Sequence, residues 1–251
     1  MKDLLGNLTD SYSRVARFYP AVLAFFPVVW TVPALLPNIL SFDVPHVVGI
    51  TAVLSAGVAL LMNMARSLGK STEKRLLSSW GGWPSTIMLR HRDGALDSGT
   101  KGRYHAKLQA LYKNMALPSA AEEAQAETAA DAQYRAATTR LIEARRDAKH
   151  KMLHKENAQY GFRRNLLGLK PVALTVVLLA SGATGTVIAV GLPSPPATLA
   201  NLLSDAGVRW QLYVSLLLDV SYTLLFVLLV RPHFVRQAGD EYALALFRTL
   251  D

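Results

Sequence analysis

Four long stretches of this chain hold almost no charge, and the residues between them hold almost all of it. A helix that crosses a bilayer needs about 20 consecutive apolar residues. Phe18–Leu40, Val47–Ala65, Pro171–Leu192 and Trp210–Val230 come to that length, and a single charge, Asp219, lies within them. Charged residues are 18% of the chain, below the roughly 25% usual in soluble domains. Four such runs in 251 residues exclude disorder, a collagen-like chain and an ordinary soluble globular domain. The pattern predicts an all-α integral membrane protein, with four transmembrane helices in two hairpins flanking a mostly helical cytoplasmic domain.

The cations orient the spans. The turn from Asn38 to His46 has no Lys or Arg, and the turn from Pro193 to Arg209 has only Arg209. The other 26 of the 27 basic residues lie before the first span, between the second and third, or from the end of the fourth onward. Positive charge is retained on the cytoplasmic side, so both termini and the middle segment are expected there. The layout is then a cytoplasmic segment over 1–17, a hairpin over 18–66, a basic domain over 67–170, a hairpin over 171–230 and a C-terminal helix over 231–251. The polar start of the chain, with no small-residue cleavage site, reads as the approach to a retained anchor. With no cysteine, disulfides, thiolate-held metals and thiol catalysis are excluded.

Pro20, Pro27, Pro33 and Pro37 crowd the first span, which a membrane helix tolerates where neighbours satisfy the carbonyls they orphan. Ala52, Ser55, Ala56 and Ala59 in the second span, and Ser181, Gly182, Gly185 and Ala189 in the third, suit close helix approach within one chain or between subunits. In the fourth, Gln211, Ser215, Asp219, Tyr222 and Phe226 recur at helical spacing as one stripe. A carboxylate at the bilayer centre costs roughly 2.5–3.5 kcal/mol on insertion scales and faces a bundle interior or a water path. The stripe is a candidate pore lining or gate, a proton site, or a set of interhelical hydrogen bonds that fixes assembly.

Residues 67–170 carry 19 basic and 10 acidic residues. Ser119 and Glu122 form a capping-box start, predicting one long helix, or two collinear ones, over about 119–167, with Gly168 and Pro171 breaking or bending it just before the third span. Its basic end (Arg140, Arg145, Arg146, Lys149, Lys151, Lys155) suits anionic headgroups or an anionic ligand. Arg90, His91, Arg92, Lys101, Arg103, Tyr104 and His105, with Arg163 and Arg164 nearer the membrane, are candidate phosphate contacts; Trp80, Trp83 and Tyr104 are candidate stacking platforms. The same cluster also reads as a satisfied polar fold, or, through His91, Asp93, Asp97 and His105, as an acid–base site. No Gly-rich phosphate loop occurs, and His91-Arg92-Asp93 stands without other kinase elements. His150 and His154 have metal spacing, but Lys149, Lys151 and Lys155 around them disfavour a cation. No metal or cofactor is expected.

The two hairpins around a basic segment, with WGGWPSTIMLRH, TKGRYH and ENAQYGFRRNLLGLK, resemble the small four-span membrane effectors of bacterial antiphage systems linked to nucleotidyltransferases, of CBASS-like or Hailong type. The resemblance covers the chain as an architecture and carries no catalytic motif. It implies a homo-oligomeric channel, not an enzyme, controlled by a nucleotide or single-stranded nucleic-acid ligand, with a nucleotidyltransferase as partner, whose opening depolarises the membrane. The rival readings are a membrane-interface enzyme using the His91–His105 cluster, and a membrane anchor for a soluble partner.

Overall fold

A computed structural model describes residues 10–36, 44–112, 115–147, 149–191 and 209–251. The greater part of the two turns read from the sequence, 37–43 and 192–208, lies outside them, as do residues 1–9. The described residues are helical, without a strand. We number the helices α1 (Ser11–Leu35), α2 (Val44–Trp80), α3 (Pro84–Leu89), α4 (Ser98–Leu111), α5 (Ala120–Gln125), α6 (Glu127–Ala144), α7 (Lys151–Gly191), α8 (Trp210–Leu229) and α9 (Pro232–Arg248). Four of them, α1, α2, α7 and α8, are long and apolar enough to cross a membrane. The chain is therefore a multi-pass membrane protein by the length and composition of its helices.

The bundle is organised around α7, which packs against α1, α2 and α8. Asn165 meets Ala16 near one end, and Ser181 and Trp30 share Asp219 further along. The chains of α1 and α7 thus run the same way. Tyr222 meets Leu23, and Val230 meets Lys170, so α8 runs the opposite way. Lys170 Nζ donates to the Val230 carbonyl at 2.8 Å and to that of Val227 at 3.3 Å. It thereby caps the carboxyl end of α8 with a positive charge. Leu217, Val220, Leu224, Leu225 and Leu229 of α8, with Leu178, Leu179 and Val190 of α7, are exposed, as a lipid-facing surface requires.

Proline chemistry explains how α1 is held. Pro20 has no N–H for the Ala16 carbonyl, and Pro27 has none for Leu23. The α1 helix adopts a π turn over Arg14–Phe18. Asn165 Nδ2 donates to the Ala16 carbonyl at 2.6 Å, and the Tyr222 hydroxyl to that of Leu23 at 2.9 Å. Each orphaned acceptor thus becomes a tie to another helix. One turn deeper into α2 and α7, backbones touch: a Cβ on Gly168 would lie 2.6 Å from Gly69 N.

Two expectations about helix ends are corrected. Gly168 and Pro171 do not break α7, which runs unbroken over 41 residues. Gly168 serves the crossing with α2, and Pro171 is accommodated inside the helix, as membrane-embedded prolines are. The helix predicted over 119–167 is instead three. The capping box of Ser119 and Glu122 starts α5, but the chain turns at Ala126 and again after Ala144. These turns let α6 bury Ala130, Tyr134, Ala137 and Leu141 in a compact core, which one straight rod would leave uncovered.

That core is the centre of an extramembrane domain of α3–α6 and α9 at the ends of α2 and α7. Every residue of α3 is buried. The C-terminal helix α9 closes the core with Ala243, Leu246 and Phe247, all fully buried, and Phe247 stacks on Tyr104 with centroids 5.5 Å apart.

Candidate functional site

In the bundle, the buried face of α8 is Leu212, Ser215, Asp219, Tyr222 and Phe226. Gln211 is exposed, one residue off that face, and Leu212 takes its place. Asp219, fully buried, accepts from Trp30 Nε1 at 2.9 Å on one oxygen and from Ser181 Oγ at 3.0 Å on the other. Ser215 and Thr31 hydroxyls are 3.2 Å apart, and Tyr222 stacks on Phe226 with centroids 4.4 Å apart. The stripe faces α1 and α7 of its own chain. Within the chain these polar groups are occupied by one another, and they tie three helices together.

The extramembrane polar cluster is likewise turned inward. Arg90 Nε and Nη2 form a fork on the Asp131 carboxylate at 2.7 and 2.6 Å, and Nη2 also donates to the Gly81 carbonyl. Glu123, 2% exposed, accepts from the backbone N–H groups of His91 and Arg92, from Arg92 Nη1 at 2.8 Å and from the Tyr134 hydroxyl at 2.7 Å. These donors outweigh the cost of burial and hold its carboxyl at about 2. Arg92 pairs also with Glu127 and Asp131. Lys101, buried, points Nζ at the carbonyls of Arg90, His91 and Asp93. His105 bonds the Leu89 carbonyl through Nε2 at 2.8 Å, and burial pushes its imidazole down from the ordinary range. His91 bonds the Pro118 carbonyl, and Asp93 and Asp97 accept from the amides of Ala95 and Thr100. Arg90, His91, Arg92, Lys101 and His105 therefore meet in space and bond mainly to the fold itself, while His91 and Arg92 also line an open cleft and Arg103, Arg163 and Arg164 pair elsewhere.

Two of the stacking platforms, Tyr104 and Trp80, are also occupied, whereas Trp83 still lines an open cavity. Tyr104 is buried against Phe247, Arg236 lies over Trp80 at 5.3 Å and Arg135 over Trp83 at 5.7 Å. Arg103 faces the Asp251 carboxylate at 3.6 Å. Arg163 donates to the Phe234 carbonyl and Gln237, and Arg164 pairs with Glu73 at 2.9 Å, joining α7 to α2. His150 lies 3.4 Å from Asp147, and His154 bonds the Asp147 carbonyl. Among the described residues, no group of three His, Cys, Asp or Glu is placed to hold a metal.

At least three clefts are accessible among the described residues: one of about 330 Å³ lies on the polar cluster, lined by His91, Arg92, Glu123 and Glu127, and two lie elsewhere. The first of these two, of about 650 Å³, is lined by Arg146, Lys151, His154 and Lys155 opposite Asp10 and Tyr12. Among the described residues Arg146, Lys151 and Lys155 have no ion-pair partner. The other, of about 260 Å³, lies where α2, α6, α7 and α9 meet the start of α3. The basic end of the predicted helix pointed toward the first. The second joins residues from five separate parts of the chain and has no local sequence signature. No protein-family model, curated protein or solved structure matches this chain.

Proposed function

We infer that this chain is the subunit of a homo-oligomeric channel of the bacterial inner membrane, with its basic domain and both termini in the cytoplasm. An anionic nucleotide or nucleic-acid ligand controls it, and its opening depolarises the membrane in antiphage defence. The observation that carries the reading is the continuity of α2 and α7. They are 37 and 41 residues long, about 55 and 60 Å at 1.5 Å per residue, against a hydrocarbon core of about 30 Å. Each is one rigid rod through bundle and domain, so a displacement at the domain reaches the membrane without a joint. A ligand acts on such a rod only through its differential affinity for two arrangements.

The assembly face is assigned to the outer side of α2, since the Asp219 stripe is occupied within the chain. Ala52, Ser55, Ala56 and Asn63 are exposed there, and Gly182 and Gly185 of α7 face open space. Small and polar residues turned outward suit a second copy better than lipid. The ligand's phosphates are assigned to Arg146, Lys151 and Lys155, whose charges are unspent. The test is planar-bilayer conductance of the purified protein with and without short oligonucleotides and cyclic nucleotides. Discrete ligand-sensitive currents, insensitive to ligand in Lys151→Glu/Lys155→Glu, are expected. An intact oligomer silent under every ligand would sink the reading.

A further inference from the structure

We propose that the cavity of about 260 Å³ between α2, α6, α7 and α9 is a binding site for a small planar heteroaromatic anion, a function separate from the basic cleft and independent of channel activity. Its walls divide by chemistry. Trp83, Pro84 and Ile142 present apolar surface, suited to a flat ring. Asn157, which presents both donor and acceptor, lines the same space. Arg135 stands over the Trp83 ring at 5.7 Å and has no carboxylate partner among the described residues.

The group that asks for a ligand is Tyr160. It lines the cavity and is 6% exposed, and its hydroxyl, beside the Glu73 carboxylate, has no partner in full hydrogen-bond geometry among the described residues. A buried hydroxyl without a well-formed hydrogen bond gains one from a ligand bearing a ring nitrogen or exocyclic oxygen. Glu73 and Arg164 neutralise one another at 2.9 Å, so the net charge facing the cavity is the single cation of Arg135. That balance selects an anionic group on the ring's substituent. The volume is small beside ordinary ligand pockets of roughly 300–1,000 Å³. It holds one ring system with its substituent directed to Arg135.

The site also has a defined mechanical position. Its lining belongs to the two through-going helices, by Glu73, Asn157 and Arg164, and to the domain, by Arg135, Gly239 and Tyr242. An occupant therefore contacts both sides of the junction at once.

Calorimetric titration of the full chain in detergent tests the proposal, with adenosine 5′-monophosphate, adenosine and inorganic phosphate as probes. Saturable binding of the monophosphate is expected, with adenosine bound about tenfold more weakly and phosphate alone not bound. Tyr160→Phe removes only the hydroxyl. It is expected to leave the melting temperature unchanged or raised while weakening the monophosphate about tenfold, the size of one neutral hydrogen bond. Arg135→Gln is expected to weaken the monophosphate and leave adenosine unchanged. No saturable binding of the monophosphate, wild-type affinity in Tyr160→Phe, or a melting temperature lowered by several degrees in that variant would each overturn the site. The titration needs no ion flux, so binding by a protein silent in bilayers would count against the channel reading alone.

Discussion

Glu123 and His105 make the extramembrane domain acid-labile in two stages. The carboxyl of Glu123 is lowered from an ordinary 4.5 to about 2 in the folded chain. Its contribution is present above 4.5 and is lost as pH falls from there toward 2. The imidazole of His105 is lowered from 6.5 by burial. The unfolded chain therefore takes up that proton first, and stability declines once pH falls below 6.5. Thermal melts between pH 8 and 3 should show a shallow loss beginning near 6.5 and a steeper one below 4.5. Glu123→Gln keeps the shape but loses the charge on four donors. It should cost about 2 kcal/mol and shrink the steeper phase, to which the lowered carboxyls of Asp97, Glu122 and Asp251 also contribute; a melt whose steeper phase is unchanged would refute the assignment. In the bundle, Tyr222→Phe should free the Leu23 carbonyl again, at about 1 kcal/mol. Detergent or thermal unfolding followed by tryptophan fluorescence reads that cost, since Trp30 sits beside Tyr222.

At the scale of elements, the decisive contact is the crossing of α2 and α7. A methyl on Gly168 meets the backbone of Gly69 and Leu68 at under 3 Å, and one on Gly69 meets Asn165 Oδ1. Backbone cannot move aside as a flexible side chain can. Gly168→Ala is expected to push the two long helices apart, lowering stability by about 1–3 kcal/mol and breaking the Glu73–Arg164 pair one turn away. A melting temperature equal to wild type would show the crossing to be softer than its geometry implies. Here the sequence was readable in kind but not in detail. Pro20, Pro27 and Pro33 announced that α1 needs outside donors, because a missing N–H is a property of the residue itself. That Asn165 and Tyr222 supply them depends on residues 149 and 199 positions away in the chain.

For the whole molecule, the topology read from the cations has a direct test. The chain has no cysteine, so single cysteines report cleanly. Lys74→Cys on α2 and Arg140→Cys on α6 should react with an impermeant maleimide only after the inner membrane is opened. Labelling in intact spheroplasts would invert the molecule. Four apolar helices, their approximate limits and the basic character of the region between them follow from local chemistry, because lipid selects on apolar length and on charge at each position separately. What polar residues do once they share a space is not local. The Asp219 stripe read equally as a pore lining or as a lock, and Arg90, His91, Arg92 and Lys101 as ligand contacts or as structure. Only the tertiary arrangement assigned the stripe to its own bundle and the cluster to Glu123, Asp131 and backbone carbonyls. The same arrangement left Arg146, Lys151, Lys155 and the Tyr160 cavity accessible. The physical reason is that a hydrogen-bonding group declares its capacity in the sequence, whereas its partner is set by which helices cross and which side chains arrive there.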